Sequence, residues 1–289
     1  MRTRLALLAL PLCAVLPAAL ATAQSGPFVV VETGRGYARL QDAVDAIGPG
    51  TGTIRIAPGR HAQCAVQNAG DVLYQAAVPG EAVLAATACE GKAALVLRGR
   101  TARVEGLVFT GINVPDGNGA GIRLEKGDLA ISQSWFANSQ QGILTANGEP
   151  GTVTIDKSTF TRLGTCEYSG GCAHSVYVGD YGALTITRSR FEAGVGGHYV
   201  KSRAGKIGIF NSSFDDSRGR GTNYMIDLPA GASGTIAGNW FVQGRDKENY
   251  SAFIAIAAEG AKNSSAGLVI ESNDARFAPG VDRQSAFVA

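Results

Sequence analysis

The stretch VTIDKSTF, residues 153–160, decides the fold because it is one copy of a block that recurs along the chain. Each copy alternates apolar and polar residues, and all but the last end in phenylalanine. This pattern is typical of a β-strand that runs into a turn. The copies are ARVEGLVF (102–109), LAISQSWF (129–136), VTIDKSTF (153–160), LTITRSRF (184–191), IGIFNSSF (207–214), GTIAGNWF (234–241) and the weaker LVIESNDA (268–275).

The spacing of these blocks indicates a solenoid of short coils. The phenylalanines that end them stand at 109, 136, 160, 191, 214 and 241, so successive copies are 23 to 31 residues apart. A coil of two or three short strands needs about this length, and stacked coils pair each strand with its copy about 4.8 Å along the axis. The 39 glycines suit the sharp corners of such coils. The sequence therefore predicts an all-β parallel β-helix that forms a single domain over residues 24–289.

The beginning of this region carries a resemblance to a known superfamily. The segment FVVVETGRGYARLQDAVDAIGPGTGTIRIAPGRH (28–61) resembles the start of secreted right-handed β-helix proteins of the pectin-lyase-like superfamily. The resemblance implies that a strand and a short amphipathic helix, around Tyr37–Ile47, cap the open end of the first coil. An uncapped end would expose core side chains and unpaired strand edges. Fold alone does not fix function.

Residues 1–23 have the features of a secretory signal peptide. They contain Arg2 and Arg4, a long Leu/Ala run and the small residues Ala21-Thr22-Ala23, which predict cleavage before Gln24. No second hydrophobic span follows, so we expect no membrane span and a secreted or periplasmic protein. Without the leader, 24 basic residues face 24 acidic ones, and this balance gives no support for nucleic-acid binding.

The four cysteines of the mature region suit an oxidising compartment. Cys64 and Cys89 lie 25 residues apart, and Cys166 and Cys172 bracket the short loop CEYSGGC. We predict the disulfides Cys64–Cys89 and Cys166–Cys172. A zinc site is the alternative, although no His/Cys spacing of the usual kind surrounds them.

The recurring block also gives a register for the segments HSVYVG, HYVKSR and YMIDLP, which precede three of its copies. Val176, Val200 and Ile226 stand seven or eight residues ahead of their blocks and are interpreted as inward-facing neighbours in successive coils. The next residue of each segment then points outward. The register therefore predicts an exposed ladder of three side chains, which are Tyr177, Lys201 and Asp227.

The same alignment stacks His174, His198 and Tyr224, and it places Arg203 two residues beyond Lys201. Strict alternation would turn the histidines inward, but they adjoin glycines at an expected corner. Residues 188–220 also have an excess of four basic residues, which suits an anionic chain bound in a groove. Arg218 and Arg220 in this region are further candidates for substrate contacts, together with Asp227 and Tyr224, although loop solvation is the simpler interpretation of the two arginines.

The resemblance makes an acidic polysaccharide the expected substrate, because secreted members of this superfamily commonly act on such polymers as lyases, hydrolases or epimerases. In a β-elimination, a base removes the proton beside a uronate carboxylate, a cation neutralises that carboxylate, and an acid protonates the leaving oxygen. Lys201 is the first candidate base and Arg203 the candidate carboxylate ligand. His198, His174 or Tyr177 would protonate the leaving oxygen. If Asp227 keeps Lys201 charged, His198 becomes the better base.

Three alternatives stay open at this point. Calcium, which some relatives use, has as candidate ligands only Asp180, Asp227 and the segment PDGNG (115–119), so no cofactor is predicted but calcium is left open. Asp215-Asp216 resembles part of the polygalacturonase branch of glycoside hydrolases, whose Asn-Thr-Asp-Gly segment is absent. The third alternative is a non-catalytic exported β-helix that binds glycan or builds envelope structure. The oligomeric state and the particular sugar are left undetermined.

Overall fold

The structure, a computed structural model, describes residues 26–168 and 170–289. The predicted signal peptide lies outside the described residues. In chain order the elements are β1 (Phe28–Val30), β2 (Arg35–Tyr37), α1 (Leu40–Ile47), β3 (Thr51–Ile56), β4 (Gly59–His61), β5 (Ala65–Gln67), β6 (Asp71–Ala76), β7 (Ala82–Ala85), β8 (Ala93–Leu97), β9 (Thr101–Glu105), β10 (Leu107–Thr110), β11 (Ala120–Leu124), β12 (Asp128–Ser132), β13 (Trp135–Ala137), β14 (Gln141–Thr145), β15 (Glu149–Asp156), β16 (Thr159–Thr161), β17 (Val176–Val178), β18 (Tyr181–Thr187), β19 (Arg190–Glu192), β20 (Val200–Ser202), β21 (Lys206–Phe210), β22 (Ser213–Asp215), β23 (Ile226–Leu228), β24 (Ser233–Ala237), β25 (Trp240–Gln243), β26 (Ala252–Ile256), β27 (Leu268–Glu271), β28 (Asp274–Phe277) and β29 (Ala286–Val288).

These strands form three long sheets, and the chain visits them in turn. Sheet A has the order β2-β1-β3-β6-β9-β12-β15-β18-β21-β24-β27, sheet B the order β28-β25-β22-β19-β16-β13-β10-β7-β4, and sheet C the order β29-β26-β23-β20-β17-β14-β11-β8-β5. Strand β1 pairs antiparallel with β2 and β3. All other strand pairings are parallel, and each joins a strand to its counterpart one coil away. The predicted parallel β-helix is confirmed.

The recurring block supplies the A strand, the following corner and the start of the B strand of each coil. Its final phenylalanines stack inside the helix in one unbroken column, with ring centroids 4.7 to 4.9 Å apart, from Phe109 to Phe241. This distance matches the separation of neighbouring strands, so identical side chains in the same register pack face to face. The column is the centre of the core.

The corner between sheets A and B is built by the two residues in the middle of each block. In VTIDKSTF, Lys157 adopts a left-handed backbone with φ 47°, and Ser158 follows it. The backbone N–H of Ser158 donates to Oγ of Ser189 at 3.2 Å, and that of Ser189 donates to Oγ of Ser212 at 3.1 Å. This buried ladder satisfies backbone donors that leave the sheet at the corner. The need for a side-chain oxygen at this corner explains why Ser or Asn recurs two residues before the aromatic position.

The N-terminal end is closed as the resemblance implies. Helix α1 spans Leu40–Ile47, three residues shorter at its start than expected, because Arg35–Tyr37 forms strand β2. Its buried residues Leu40, Ala43 and Val44 belong to the main core. Within the described residues, no helix combines the length and apolarity that crossing a membrane would require.

Both predicted disulfides are formed. Cys64 bonds Cys89 beside sheet C, and Cys166 bonds Cys172 in the loop that leads to β17. The alternative of a zinc site formed by these cysteines is therefore wrong, since a disulfide leaves no thiolate for a metal.

Candidate functional site

The outer face of sheet C carries a ladder of polar side chains. Strands β17, β20 and β23 pair so that Tyr177 lies opposite Lys201, and Lys201 lies opposite Asp227. Val176, Val200 and Ile226 pair in the same register and are completely buried. The predicted register is confirmed, but the predicted exposure of Asp227 is wrong, because His198 and Lys201 lie against its carboxylate and it is buried. We refer to Tyr177, Lys201 and Asp227 as the polar strip.

Asp227 is the buried end of the polar strip, with 3% of its surface exposed. Its Oδ2 lies 3.3 Å from Nζ of Lys201 and 3.3 Å from Nε2 of His198, whereas its buried Oδ1 has no hydrogen-bond partner among the described residues. Burial raises the pKa of this carboxyl, against the opposing effect of the Lys201 ammonium. The Asp227 carboxylate thus connects Lys201 to His198.

Lys201 and Arg203 together hold a second carboxylate, that of Glu259. Oε1 of Glu259 lies 2.9 Å from Nζ of Lys201, and Oε2 accepts a hydrogen bond from Nη2 of Arg203. These bonds lower the pKa of Glu259. Arg203 also donates to the hydroxyl of Tyr177, and its guanidinium lies 5.3 Å from the centre of the Tyr177 ring. The two cations and the phenol form one connected cluster around the carboxylate.

The histidines stack beside this cluster, and they face outward. Ring centroids are 4.9 Å apart for His174 and His198, and 5.6 Å apart for His198 and Tyr224. Nδ1 of His174 accepts the backbone N–H of His198 at 3.0 Å. Alternation fails here because the corner precedes β20, where Gly197 has φ 60° and a Cβ would come 2.1 Å from a backbone oxygen of Ala173. Only glycine fits this position.

Both histidines are neutral at ordinary pH because they are buried. His174 is 6% exposed and His198 8% exposed. Burial, assisted by the neighbouring Lys201, lowers the pKa of His198 to about 3, and burial lowers the pKa of His174 well below its usual value. Neither ring can serve as a strong base. Tyr177, which is half-buried, is more accessible than either histidine.

A cleft of about 370 Å³ adjoins the polar strip on the side of the earlier coils. Tyr177 forms one wall, and Leu144, which pairs with Tyr177 across the sheet, contributes an apolar floor. The remaining lining is polar and includes Lys92, Arg123 and Asn147. The cleft is therefore suited to a polar ligand that also presents an apolar face.

No family model matches the sequence, and no curated protein matches it. Among solved structures, the pectin methylesterase from Aspergillus niger matches with a TM-score of 0.53 and 12% identity, over 92% of this chain and 90% of that chain. This likeness shows the fold alone, and it agrees with the parallel β-helix described above. An alginate lyase of the PL6 family matches with a TM-score of 0.47 and 12% identity, over 84% of this chain but only 40% of that chain. This second likeness is too weak to bear on function.

The two other predicted arginines have different surroundings in the β-helix. Arg218 is largely exposed and reaches Glu192 of β19, in sheet B, at 3.5 Å. Arg220 lines a separate cleft with Arg162 and Tyr168. Their observed contacts give no support for a role beside Lys201, and their assignment as substrate ligands stays a prediction.

A buried ion pair that the sequence did not indicate lies behind the histidine stack. The side chains of Lys247 and Asp216 are both completely buried, with Nζ 3.2 Å from Oδ2. Asp216 also accepts from the hydroxyl of Tyr199 at 2.7 Å, and Lys247 donates to the backbone oxygen of Asn223. Tyr199 follows His198 and Asn223 precedes Tyr224. The pair therefore fixes the backbone on both sides of the stack.

The oxygen ligands considered for calcium do not converge in the β-helix. Asp180 bonds Lys262, and Asp227 has two basic side chains against it rather than further carboxylates. Among the described residues, one group of three possible metal ligands lies close enough to share an ion, and two of its members are the disulfide-bonded Cys166 and Cys172, with Glu248. The polar strip does not fit calcium, which takes six to eight oxygen ligands.

Proposed function

We propose that this β-helix binds an acidic polysaccharide along the outer face of sheet C and cleaves it by β-elimination. The observation that carries the proposal is the carboxylate held between Lys201 and Arg203. The side chain of Glu259 that supplies this carboxylate is 48% exposed, so the two cations bind it near the surface and can bind the uronate carboxylate of a polymer in the same way. Both disulfides support an exported location, where such polymers occur.

In this proposal Lys201 and Arg203 neutralise the substrate carboxylate. Lys201 was the first candidate base, but its Nζ lies 3.3 Å from a carboxylate oxygen of Asp227 and 2.9 Å from one of Glu259, an arrangement that suits carboxylate binding. Its positive charge then stabilises the negative charge that develops on the substrate when the neighbouring carbon loses its proton. Arg203 adds a planar fork that orients the same carboxylate.

Tyr177 is then the group that transfers the proton. Its hydroxyl receives a hydrogen bond from Arg203, and the centre of that guanidinium lies 5.3 Å from the centre of the Tyr177 ring, so the hydroxyl stands beside the group that binds the substrate carboxylate. In the proposed step the Tyr177 phenolate takes the proton from the carbon beside the carboxylate. The electrons of that C–H bond form the new carbon–carbon double bond, the bond to the leaving oxygen breaks with its electron pair, and Tyr177 returns the proton to that oxygen. His198 and Asp227 are assigned to positioning Lys201.

Binding without catalysis is the second candidate, and two observations favour it. Glu259 already occupies the two cations, and both histidines are buried. A glycoside hydrolase is supported less, because Asp216 is completely buried and bonded to Lys247, so Asp215 and Asp216 do not form an accessible pair.

The test is to incubate the purified protein with alginate and with polygalacturonate and to record the ultraviolet absorbance of the unsaturated product. We expect absorbance to rise with one of them, and Tyr177→Phe to reduce the rate by about 10²- to 10⁴-fold, as loss of a general acid–base group does. Binding without new absorbance supports the second candidate. New reducing ends without absorbance would instead indicate hydrolysis. A parallel assay with EDTA tests for calcium dependence, and we expect an unchanged rate because the polar strip does not fit calcium.

A further inference from the structure

The loop between β26 and β27, residues 257–267, lies across the corner where sheet C turns into sheet A. We call it the strap. Nδ2 of Asn263 donates to backbone oxygens of Arg203 and Gly231 at 3.1 and 3.0 Å, and Lys262 bonds Asp180. Asp180 follows β17, so the strap reaches back past three neighbouring strands, a span of about 14 Å at the usual strand separation. It covers the polar strip from the side.

Contacts made by the strap are almost entirely polar. Its backbone N–H groups at Glu259 and Asn263 bond to oxygens of Pro229 and Ala230 at 2.9 and 2.8 Å. The main core includes no residue of the strap, most of which is exposed. Segments with few buried apolar contacts open locally at low free-energy cost. The left-handed backbone of Ala257 and the glycines Gly260 and Gly267 provide places where the chain can bend.

Glu259 lies in the strap, and its side chain ends in a carboxylate, the same group that the proposed substrate carries. Its carboxylate takes one bond from Lys201 and one from Arg203, which is the arrangement expected for a bound uronate. Elsewhere in this cluster, Asp227 already balances one positive charge. A substrate carboxylate that takes the same N–H donors of Lys201 and Arg203 has to displace Glu259 from them.

We infer that Glu259 is a built-in competitor of the substrate: the strap closes the polar strip by filling the carboxylate position, and a polyuronate binds by displacing it. The inference rests on the proposed function and adds its regulation. The apparent affinity for the polymer is the intrinsic affinity multiplied by the fraction of molecules in which the strap is open. Polymers with several carboxylates in a row displace Glu259 more effectively than single sugars, because neighbouring contacts contribute to binding at the same time.

The test compares Glu259→Gln, which keeps the shape and removes the charge, with Glu259→Asp, which keeps the charge on a shorter side chain. Glu192→Gln is the matched control, because Glu192 also bonds two arginines, Arg190 and Arg218, but on sheet B. Binding of alginate and of polygalacturonate is measured by calorimetry. We expect Glu259→Gln to lower the Kd of the polymer bound by the wild type by about tenfold, a change of about 1.4 kcal/mol, and Glu259→Asp to lower it less. Glu192→Gln should leave it unchanged.

A second readout does not depend on the sugar. The rate at which acetic anhydride acetylates Lys201, followed by mass spectrometry, reports how freely Nζ is exposed. We expect faster acetylation in Glu259→Gln than in the wild type or Glu192→Gln. An unchanged or raised Kd in Glu259→Gln, or equal acetylation rates, overturns the inference. If neither polymer binds to any variant and no product forms, the proposed function fails, and with it the role of Glu259 as a competitor, while the acetylation rates still report whether the strap covers Lys201.

Discussion

Nε2 of His198 lies 3.3 Å from Oδ2 of Asp227, although the two residues stand in different coils of the helix. His198 precedes β20, and Asp227 lies in β23, the strand that pairs with it. The buried carboxylate therefore links a corner of one coil to the next coil, and it holds the ammonium of Lys201 at the same distance. Asp227 therefore positions Lys201 from below, while Tyr177 and the neighbouring Arg203 are half-buried and reach the surface.

Arg203 should be sensitive even to conservative change. In Arg203→Lys the positive charge stays, but the fork that bonds both a carboxylate and the Tyr177 hydroxyl is lost. We expect binding of the polyuronate to weaken by about 10- to 100-fold, the effect of losing one charged hydrogen bond of about 1.5–3 kcal/mol. Calorimetry measures the Kd of the polyuronate for the wild type and for Arg203→Lys. Arg188→Lys, which alters an exposed ion pair with Asp156 on sheet A, is the control. Equal effects of both substitutions would contradict a specific role for Arg203.

The buried histidines should make the protein less stable as the solution becomes acidic. In the unfolded chain they take up protons near pH 6.5, whereas in the folded chain the pKa of His198 is about 3 and that of His174 is also lowered. The unfolded state then binds more protons below pH 6.5, so the free energy of unfolding falls as pH falls, by up to about 1.4 kcal/mol per pH unit for each histidine. Asp227, with its raised pKa, acts in the opposite sense and offsets part of the slope.

Urea unfolding at several pH values between 7 and 5 measures this slope, in a range above the usual pKa of most carboxyls. His174→Asn keeps a hydrogen-bond acceptor but cannot ionise in this range. We expect its slope to be smaller by the contribution of one histidine, which is up to about 1.4 kcal/mol per pH unit. The charged groups near the stack are Lys201, Arg203, Lys247 and Glu259. A slope that is the same in wild type and His174→Asn would show that His174 is not held neutral.

The fold and the polar strip could be predicted because both follow from a repeat. Once Val176, Val200 and Ile226 are aligned, strand periodicity places the next side chain of each on the outer face. Where regular strands end, periodicity carries no information. His198 therefore points to the opposite side from that given by alternation, because Gly197 in its left-handed conformation turns the chain just before it.

Glu259 and Lys247 had no sequence signal of this kind. Glu259 reaches its partners from a loop outside the repeat, at positions more than 50 residues away in the chain. Lys247 stands between Asp246 and Glu248 in a charged segment that is typical of an exposed loop, and lysines are seldom buried. Contacts between a loop and a coil two turns away depend on three-dimensional packing, which the spacing of the repeat does not describe.

The phenylalanine column should dominate the stability of the β-helix. Phe136 is 1% exposed and stacks between Phe109 and Phe160, whereas its neighbour Trp135 is 50% exposed on the outer face of the same strand. We expect Phe136→Ala to lower the free energy of unfolding by about 3–5 kcal/mol, through lost burial and the cavity it leaves. Trp135→Ala should change it by about 0.5 kcal/mol or less. Urea unfolding compares the two variants, and similar losses would contradict a core centred on the column.

The buried pair of Lys247 and Asp216 should support the histidine stack. Comparing a single with a double substitution separates the effect of the ion pair from the effect of packing. Lys247→Met keeps most of the side-chain volume but leaves the Asp216 carboxylate buried without its cation. Breaking a buried pair from one side typically costs about 3–5 kcal/mol. We expect a loss of this size in urea unfolding for Lys247→Met, and a smaller loss for Lys247→Met combined with Asp216→Asn, which removes the uncompensated charge while keeping an acceptor for Tyr199.

The same variants report on the position of His198. Tyr199 and Asn223, which the pair holds, adjoin the two stacked rings of His198 and Tyr224. In Lys247→Met we therefore expect the NMR signals of the His198 ring to shift, because the aromatic ring of Tyr224 no longer lies over it in a fixed position. Phe136→Ala, which is destabilised to a similar degree but lies away from the stack, is the control for a general loss of stability. Equal shifts of the His198 signals in both variants, or a double variant as unstable as the single one, would contradict the role assigned to this buried pair.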